Sequence, residues 1–130
     1  MRYIIDSYAW LEYFMGTGAG EKAKKIIDSA AHDKLTLSIC ISEVYAKILR
    51  TEGLEKAELR RNFIESRSAI VALNEGLAVE AAKIDVKMKE QVRGWSLADS
   101  IVLATTRDKR ATVITGDEHF KGLRETVFIQ

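Results

Sequence analysis

The sequence contains no proline and only one cysteine, Cys40. A single cysteine cannot close an internal disulfide, and its apolar neighbours predict a buried core residue and not a catalytic thiol. The two histidines, His32 and His119, lie far apart in the chain, which excludes a metal site of the Cys/His type. Without proline, turns must rely on other residues. The glycine-rich residues 16–20 predict one such flexible turn.

The sequence also lacks an apolar run long enough to span a membrane. Its N-terminus does not show the order of charged, apolar and small residues that marks a signal peptide. We therefore expect a cytoplasmic protein without a membrane partner. The 20 Lys and Arg residues nearly balance the 19 Asp and Glu residues, for a net charge of +1. This balance gives no overall argument for nucleic acid, although carboxylates gathered in one site would mask a basic surface elsewhere.

The distribution of apolar residues predicts a single α/β domain over residues 1–130. The chain has the length of an ordinary domain, and 47% of its residues are hydrophobic, enough for one sizeable core. Short apolar runs alternate with segments whose apolar residues recur at helical spacing. The predicted strands are residues 2–5, 35–41, 69–73, 111–115 and 126–130. Helical crossovers between them imply a three-layer α/β/α fold with a mostly parallel sheet of four to five strands.

Four acidic residues follow these strands or begin the helices after them: Asp6, Glu43, Asp99 and Asp117. The carboxyl ends of parallel strands lie at one edge of a sheet, so these side chains converge if their strands are neighbours. Each residue also has a structural alternative. Asp6 suits a helix N-cap, Glu43 suits the first turn of a helix that opens at Ser42, and Asp99 suits a capping box with Ser96.

Four converging carboxylates would repel one another, because like charges in a low dielectric are costly. No lysine or arginine is placed beside them in a way that indicates a fixed counter-charge. Mg²⁺, or alternatively Mn²⁺, prefers oxygen ligands and retains several waters, so a few carboxylates suffice to bind it. We therefore expect a Mg²⁺ or Mn²⁺ centre. Such a centre supports phosphoryl transfer by activating water and stabilising charge on the reacting oxygens.

Four segments occur in an order that resembles a known family. They are IIDSYAW at residues 4–10, SEVY at 42–45, SLADSIVLAT at 96–105 and VITGDEHF at 113–120. Each segment is short, but the ordered set spans nearly the whole chain. Together they resemble the PIN domain, and most of all the compact VapC-type toxins of VapBC toxin–antitoxin pairs.

The resemblance implies a metal-dependent endoribonuclease that hydrolyses RNA phosphodiesters. In this family the first, third and fourth acids gather Mg²⁺ or Mn²⁺, which here would be Asp6, Asp99 and Asp117. The second acid, here Glu43, binds metal or positions the attacking water. Thr115 matches the family's hydroxyl residue beside the fourth acid and would hold the site by hydrogen bonding.

The resemblance also implies partners. Family members form homodimers, and a VapB-type antitoxin inserts a peptide into the active-site groove. Ser7, directly after the first acid, is a second supporting hydroxyl residue.

Two alternatives stay open: a non-catalytic module of the same fold that binds RNA or protein, and a nuclease that cleaves DNA or flaps. The first strand is followed by Asp and Ser and not by a glycine-rich turn, which disfavours a Rossmann cofactor enzyme.

Aromatic residues and one histidine near these segments have two interpretations each. Trp10, Tyr13 and Phe14 would stack RNA bases, but their helical spacing favours core or dimer contacts. Trp95 stands in a loop after a glycine, where contact with substrate or partner and a structural role are equally compatible. His119 is predicted to be an exposed loop residue, with action on the leaving group as the alternative.

Overall fold

The computed structural model describes residues 1–130 and contains one five-stranded sheet. The strands are β1 (Arg2–Ile5), β2 (Asp33–Leu37), β3 (Ala69–Val71), β4 (Thr112–Thr115) and β5 (Thr126–Phe128). The helices are α1 (Ser7–Met15), α2 (Gly18–Ile27), α3 (Ser38–Glu52), α4 (Leu54–Arg67), α5 (Glu75–Gln91) and α6 (Leu97–Asp108), with a 3-10 turn at Glu118–Phe120. None of the six helices combines the length and the apolar character needed to cross a membrane.

The strand order is β3-β2-β1-β4-β5, and every neighbouring pair is parallel. This confirms the predicted α/β fold and its parallel sheet. β1 lies at the centre, where Ile4 is in register with Leu35 of β2 and with Val113 of β4. Because the strands are parallel and β1 lies between β2 and β4, the carboxyl ends of these three strands lie side by side at one edge of the sheet.

Each face of the sheet carries its own hydrophobic core. Consecutive strand residues point to opposite faces, and both Ile4 and Ile5 are fully buried. Ile5 belongs to a cluster that contains Trp10 of α1, whereas Ile4 belongs to a cluster that contains Leu103 of α6. The Trp10 indole N–H donates to the buried hydroxyl of Thr36 over 3.1 Å. The core interpretation of Trp10 is therefore confirmed, and its ring does not face solvent.

The predicted strand over residues 35–41 is wrong in its second half. β2 ends at Leu37, whose extended backbone (φ −75°, ψ 144°) is the N-cap of α3, and the helix begins at Ser38. The run is largely apolar because Leu37 at the end of the strand and Cys40 in the first turn of the helix are both buried. A continuous apolar run does not distinguish a buried strand from a buried helix. Cys40 lies in this first turn and is fully buried, as predicted.

The glycine-rich residues 16–20 do not form one flexible turn. Only Gly16 has a left-handed backbone (φ 69°), where it ends α1. Gly18 already lies in α2, which continues through Gly20. A side-chain carbon at Gly20 would overlap the backbone carbonyl of Glu12, whereas one at Gly18 would meet nothing within 4 Å. Gly20 therefore permits the close approach of α1 and α2.

Gly20→Ala is expected to destabilise the protein by about 1–3 kcal/mol, because α2 must move away from α1 to admit the methyl group. Gly18→Ala is the matched control in the same helix. It should be neutral or stabilising by up to roughly 1 kcal/mol, since alanine is the better helix former. Urea unfolding of both variants measures the difference. Equal stability of the two variants would contradict the packing role of Gly20.

Candidate active site

A cavity of about 140 Å³ at the carboxyl edge of the sheet is lined by all four predicted carboxylates. Asp6 follows β1 and Asp117 follows β4, while Glu43 and Asp99 come from α3 and α6. The other residues that line the cavity are Ser7, Ser96, Ala98, Val102 and His119. No lysine or arginine is among them, so no fixed cationic side chain balances the carboxylates within the cavity.

Asp6 is held from the neighbouring strand and not by the helix that follows it. It occupies the N-cap position of α1, but its side chain makes no capping hydrogen bond. Instead, the buried Thr115 hydroxyl donates to Oδ2 of Asp6 over 2.7 Å. The Cys40 thiol lies 3.6 Å from Oδ1. The helix-cap alternative for the Asp6 side chain is therefore wrong.

Asp99 caps its own helix and also borders the cavity. Its backbone N–H donates to the Ser96 hydroxyl (3.1 Å), and its Oδ2 accepts from the Ser96 backbone N–H (3.0 Å). This is the predicted capping box. Oδ2 also lies 2.8 Å from Nδ1 of His119. Both interactions engage the same oxygen, which leaves Oδ1 without a protein donor.

Asp117 is fixed by the loop that follows β4. Its Oδ1 accepts the backbone N–H of His119 over 2.9 Å. Its own backbone N–H donates to the Thr115 hydroxyl over 3.0 Å. The Thr115 hydroxyl therefore accepts from Asp117 while it donates to Asp6, and it links the loops that follow β1 and β4.

Glu43 reaches the cavity by a different route from the predicted one. Helix α3 begins at Ser38, so Ser42 does not open it, and Glu43 lies in its second turn. The helix and not a strand end presents this carboxylate. Cys40 precedes it by three residues on the same helix, and residues at this spacing share a face. Ligand atoms of Asp6, Cys40 and Glu43 all lie within 4.8 Å of one another.

Burial and mutual repulsion raise the pKa of two of these carboxyls. Burial raises the pKa of Asp6 from 3.8 to about 6, with the charges of Glu43 and Asp117 adding to the shift and the Thr115 hydrogen bond opposing it. Partial burial also raises the pKa of Glu43, opposed by the Ser7 hydroxyl and reinforced by neighbouring carboxylates. Without a bound cation, Asp6 and Glu43 therefore hold a proton more readily than ordinary carboxyls do.

The donor set fits a hard divalent cation. Ligand atoms of Asp99, Asp117 and His119 form a second group within 4.8 Å of one another, and these residues line the same cavity as Asp6 and Glu43. In Asp99 and Asp117, one oxygen receives the protein's hydrogen bonds and the other has no protein donor. Carboxylate oxygens held in this way are the ligands that Mg²⁺ and Mn²⁺ prefer.

Two contacts with the site carboxylates were not predicted from the sequence. Cys40 is the core residue that was predicted, but its thiol also contacts Asp6. His119 was predicted to be an exposed loop residue, and this is wrong: its half-buried ring contacts Asp99. The only signals in the sequence are the spacing of Cys40 before Glu43 and of His119 after the fourth acid.

Trp95 is a structural residue in this fold. Its side chain is only 3% exposed, and its indole N–H donates to the hydroxyl of Ser100 over 2.7 Å. Its ring packs 5.3 Å from that of Phe120 and 6.3 Å from that of His119. Of the two interpretations left open for Trp95, the structural one is confirmed.

An all-parallel α/β sheet with four carboxylates around one cavity at its carboxyl edge defines the structural class. The chain belongs to the PIN domain family, a family of nucleases, because the family model matches residues 3–125. A comparison with curated proteins gave no match.

Solved structures share the fold at low sequence identity. A toxin–antitoxin complex from Klebsiella pneumoniae aligns with a TM-score of 0.77 and 20% identity over 98% of each chain. VapC20 from Mycobacterium tuberculosis, a toxin that cleaves the sarcin–ricin loop, aligns with a TM-score of 0.77 and 18% identity over 94% of this chain and 95% of that one. DNA-bound VapBC from Salmonella typhimurium aligns with a TM-score of 0.75 and 10% identity over 98% of this chain and 96% of that one. The fold is therefore that of the VapC and VapBC structures.

The raised pKa of Asp6 predicts a pH-dependent cost of its charge in the metal-free protein. A folded-state pKa above the unfolded one adds stability at low pH, which is lost as pH rises through about 6. In chelator at pH 7, Asp6→Asn should therefore be more stable than wild type by up to about 3 kcal/mol, and the difference should vanish towards pH 4.

Urea unfolding at several pH values checks this prediction. Asp108→Asn, an exposed position at the far end of α6, is the control and should follow the wild-type pH profile. A metal-free Asp6→Asn protein that is less stable than wild type at pH 7 would contradict it.

Proposed function

We propose that this chain is a metal-dependent endoribonuclease that acts as one cytoplasmic PIN domain over residues 1–130. The observation that carries the proposal is the convergence of four carboxylates on one cavity that no lysine or arginine lines. Helix caps alone do not account for this arrangement, because the Asp6 side chain caps nothing and Glu43 lies inside its helix. Membership of a nuclease family supports the same activity.

The proposed reaction is hydrolysis of an RNA phosphodiester to a 5′-phosphate and a 3′-hydroxyl. Asp6, Asp99 and Asp117 would hold Mg²⁺ or Mn²⁺, which when bound lowers the pKa of an attacking water and stabilises charge on the phosphate oxygens. Glu43 would take a proton from that water, and its raised pKa makes it a stronger base. The bond between phosphorus and O3′ breaks, and the leaving 3′-oxygen gains a proton.

The supporting residues act through the carboxylates. Thr115 holds Oδ2 of Asp6 at 2.7 Å, which fixes the rotamer of that side chain. Ser7 lines the cavity beside it and lowers the pKa of Glu43. These hydrogen bonds keep the metal ligands oriented before a cation binds, which reduces the ordering cost of binding.

We further propose that the protein is the toxin of a type II toxin–antitoxin pair, with a VapB-type antitoxin as partner and a homodimer as its assembled form. The support is that several structures with the same fold are toxin–antitoxin or VapBC complexes. Co-expression with the product of a neighbouring open reading frame, followed by co-purification, tests the partnership.

Replacing Asp6 or Asp99 with Asn should lower RNA cleavage by more than about 100-fold, because several kcal/mol of transition-state stabilisation are lost with a metal ligand. The assay uses transfer RNA, ribosomal RNA fragments and unstructured oligomers with Mg²⁺, Mn²⁺ or chelator. Asp108→Asn, at the other end of the helix that carries Asp99, should keep full activity. Undiminished cleavage by either site variant would refute the assignment.

Mg²⁺ or Mn²⁺ should stabilise the wild type against unfolding by about 2.7 kcal/mol at a hundredfold excess over Kd. Asp99→Asn should lose most of this stabilisation, because its amide is a poorer ligand than a carboxylate. Thermal unfolding with and without metal measures it. Stabilisation without cleavage would mean that the substrate was missing from the RNA panel. The absence of both stabilisation and cleavage would favour the non-catalytic binding module.

A further inference from the structure

We infer that His119 is a positioning residue that holds Asp99 and Asp117 in the geometry that binds the divalent cation. The inference rests on the metal centre of the proposed function. It assigns a role to a residue that contacts two of the proposed ligands and that the proposed chemistry leaves unused.

His119 donates to both carboxylates through different groups. Its backbone N–H donates to Oδ1 of Asp117 over 2.9 Å, and its ring Nδ1 lies 2.8 Å from Oδ2 of Asp99. The same Nδ1 is 3.6 Å from Oδ1 of Asp117. Since carboxylates only accept hydrogen bonds, Nδ1 carries the hydrogen. No other residue donates to both side chains, so His119 alone links Asp99 and Asp117 by hydrogen bonds.

The surroundings of the ring fix its orientation. Gly94 has a left-handed backbone (φ 80°), and a side-chain carbon there would lie 3.1 Å from Nε2 of His119. The buried ring of Trp95 packs 6.3 Å from the imidazole, and Trp95 is itself anchored by its hydrogen bond to Ser100. An unconstrained surface histidine would not be enclosed on these sides. The packing therefore holds Nδ1 against Asp99.

This arrangement prepares the carboxylates for a cation. The N–H groups of His119 offset part of the repulsion between Asp99 and Asp117 while no metal is bound. They also engage only one oxygen of each side chain, and the other stays free to bind. Residues that hydrogen-bond to metal ligands and orient them in this way typically contribute 10- to 100-fold to metal affinity.

The test compares three replacements of His119 in the metal-free, full-length chain. Asn places its amide N–H near the position of Nδ1, whereas Gln places it near the position of Nε2, and Ala removes the side chain. Isothermal titration with Mn²⁺ in the absence of RNA measures Kd. His119→Gln and His119→Ala should weaken Mn²⁺ binding about 10- to 100-fold, and His119→Asn should retain affinity near that of the wild type. His32→Ala, at the half-buried histidine that packs against Tyr3 and does not line the cavity, should bind as the wild type does.

Thermal unfolding in chelator verifies that each variant is folded. If His119→Ala is not folded, the Mn²⁺ affinities of His119→Asn and His119→Gln decide the question. Wild-type affinity in a folded His119→Ala or His119→Gln protein would overturn the inference, as would an Asn variant no better than Gln. A wild type that binds no Mn²⁺ would overturn this inference and the proposed metal centre together. The expected affinity series without any RNA cleavage would support the inference and reject only the proposed activity.

Discussion

The hydrogen bond from Thr115 to Asp6 is the interaction on which the candidate site depends. It joins the last residue of β4 to the residue that follows β1, at 2.7 Å and buried from solvent. The same hydroxyl accepts the backbone N–H of Asp117, so one buried side chain orders two acidic residues. A hydroxyl can do this because it donates one hydrogen bond and accepts others. The parallel pairing of β1 with β4 makes the contact possible.

This site is costly to the fold in the absence of a cation. The raised pKa of Asp6 reflects the destabilisation of its charge by burial and by neighbouring carboxylates, and no lysine or arginine lines the cavity. The two hydrophobic clusters, one on each face of the sheet, supply the stability that offsets this cost. A protein that concentrates like charges at a functional site in this way gives up stability for binding capacity. The same excess of negative charge favours the binding of a divalent cation.

The helix start marked by a capping motif was predicted well, and the boundary inside a largely apolar run was not. The capping box at Ser96 and Asp99 carries its own local signal. Residues 38–41 carry none, because the helix starts within a largely apolar run that begins in the strand. The wrong boundary also misplaced Glu43, which was expected in a first helical turn and lies in the second. It reaches the cavity nonetheless, because a helix that leaves the edge of the sheet keeps its first two turns near that edge.

The sequence by itself determined the alternation of strands and helices, the parallel sheet and the identity of the four acidic residues. These follow from local physics: apolar periodicity, crossover connections and the residues that end strands. Only the tertiary structure decided which atoms hold those acids, because Thr115, Cys40 and His119 meet their carboxylates through the strand order and the packing of Trp95. Contacts between residues as distant in the chain as Asp6 and Thr115 leave no periodic signal. They exist only once the sheet has brought β1 and β4 together.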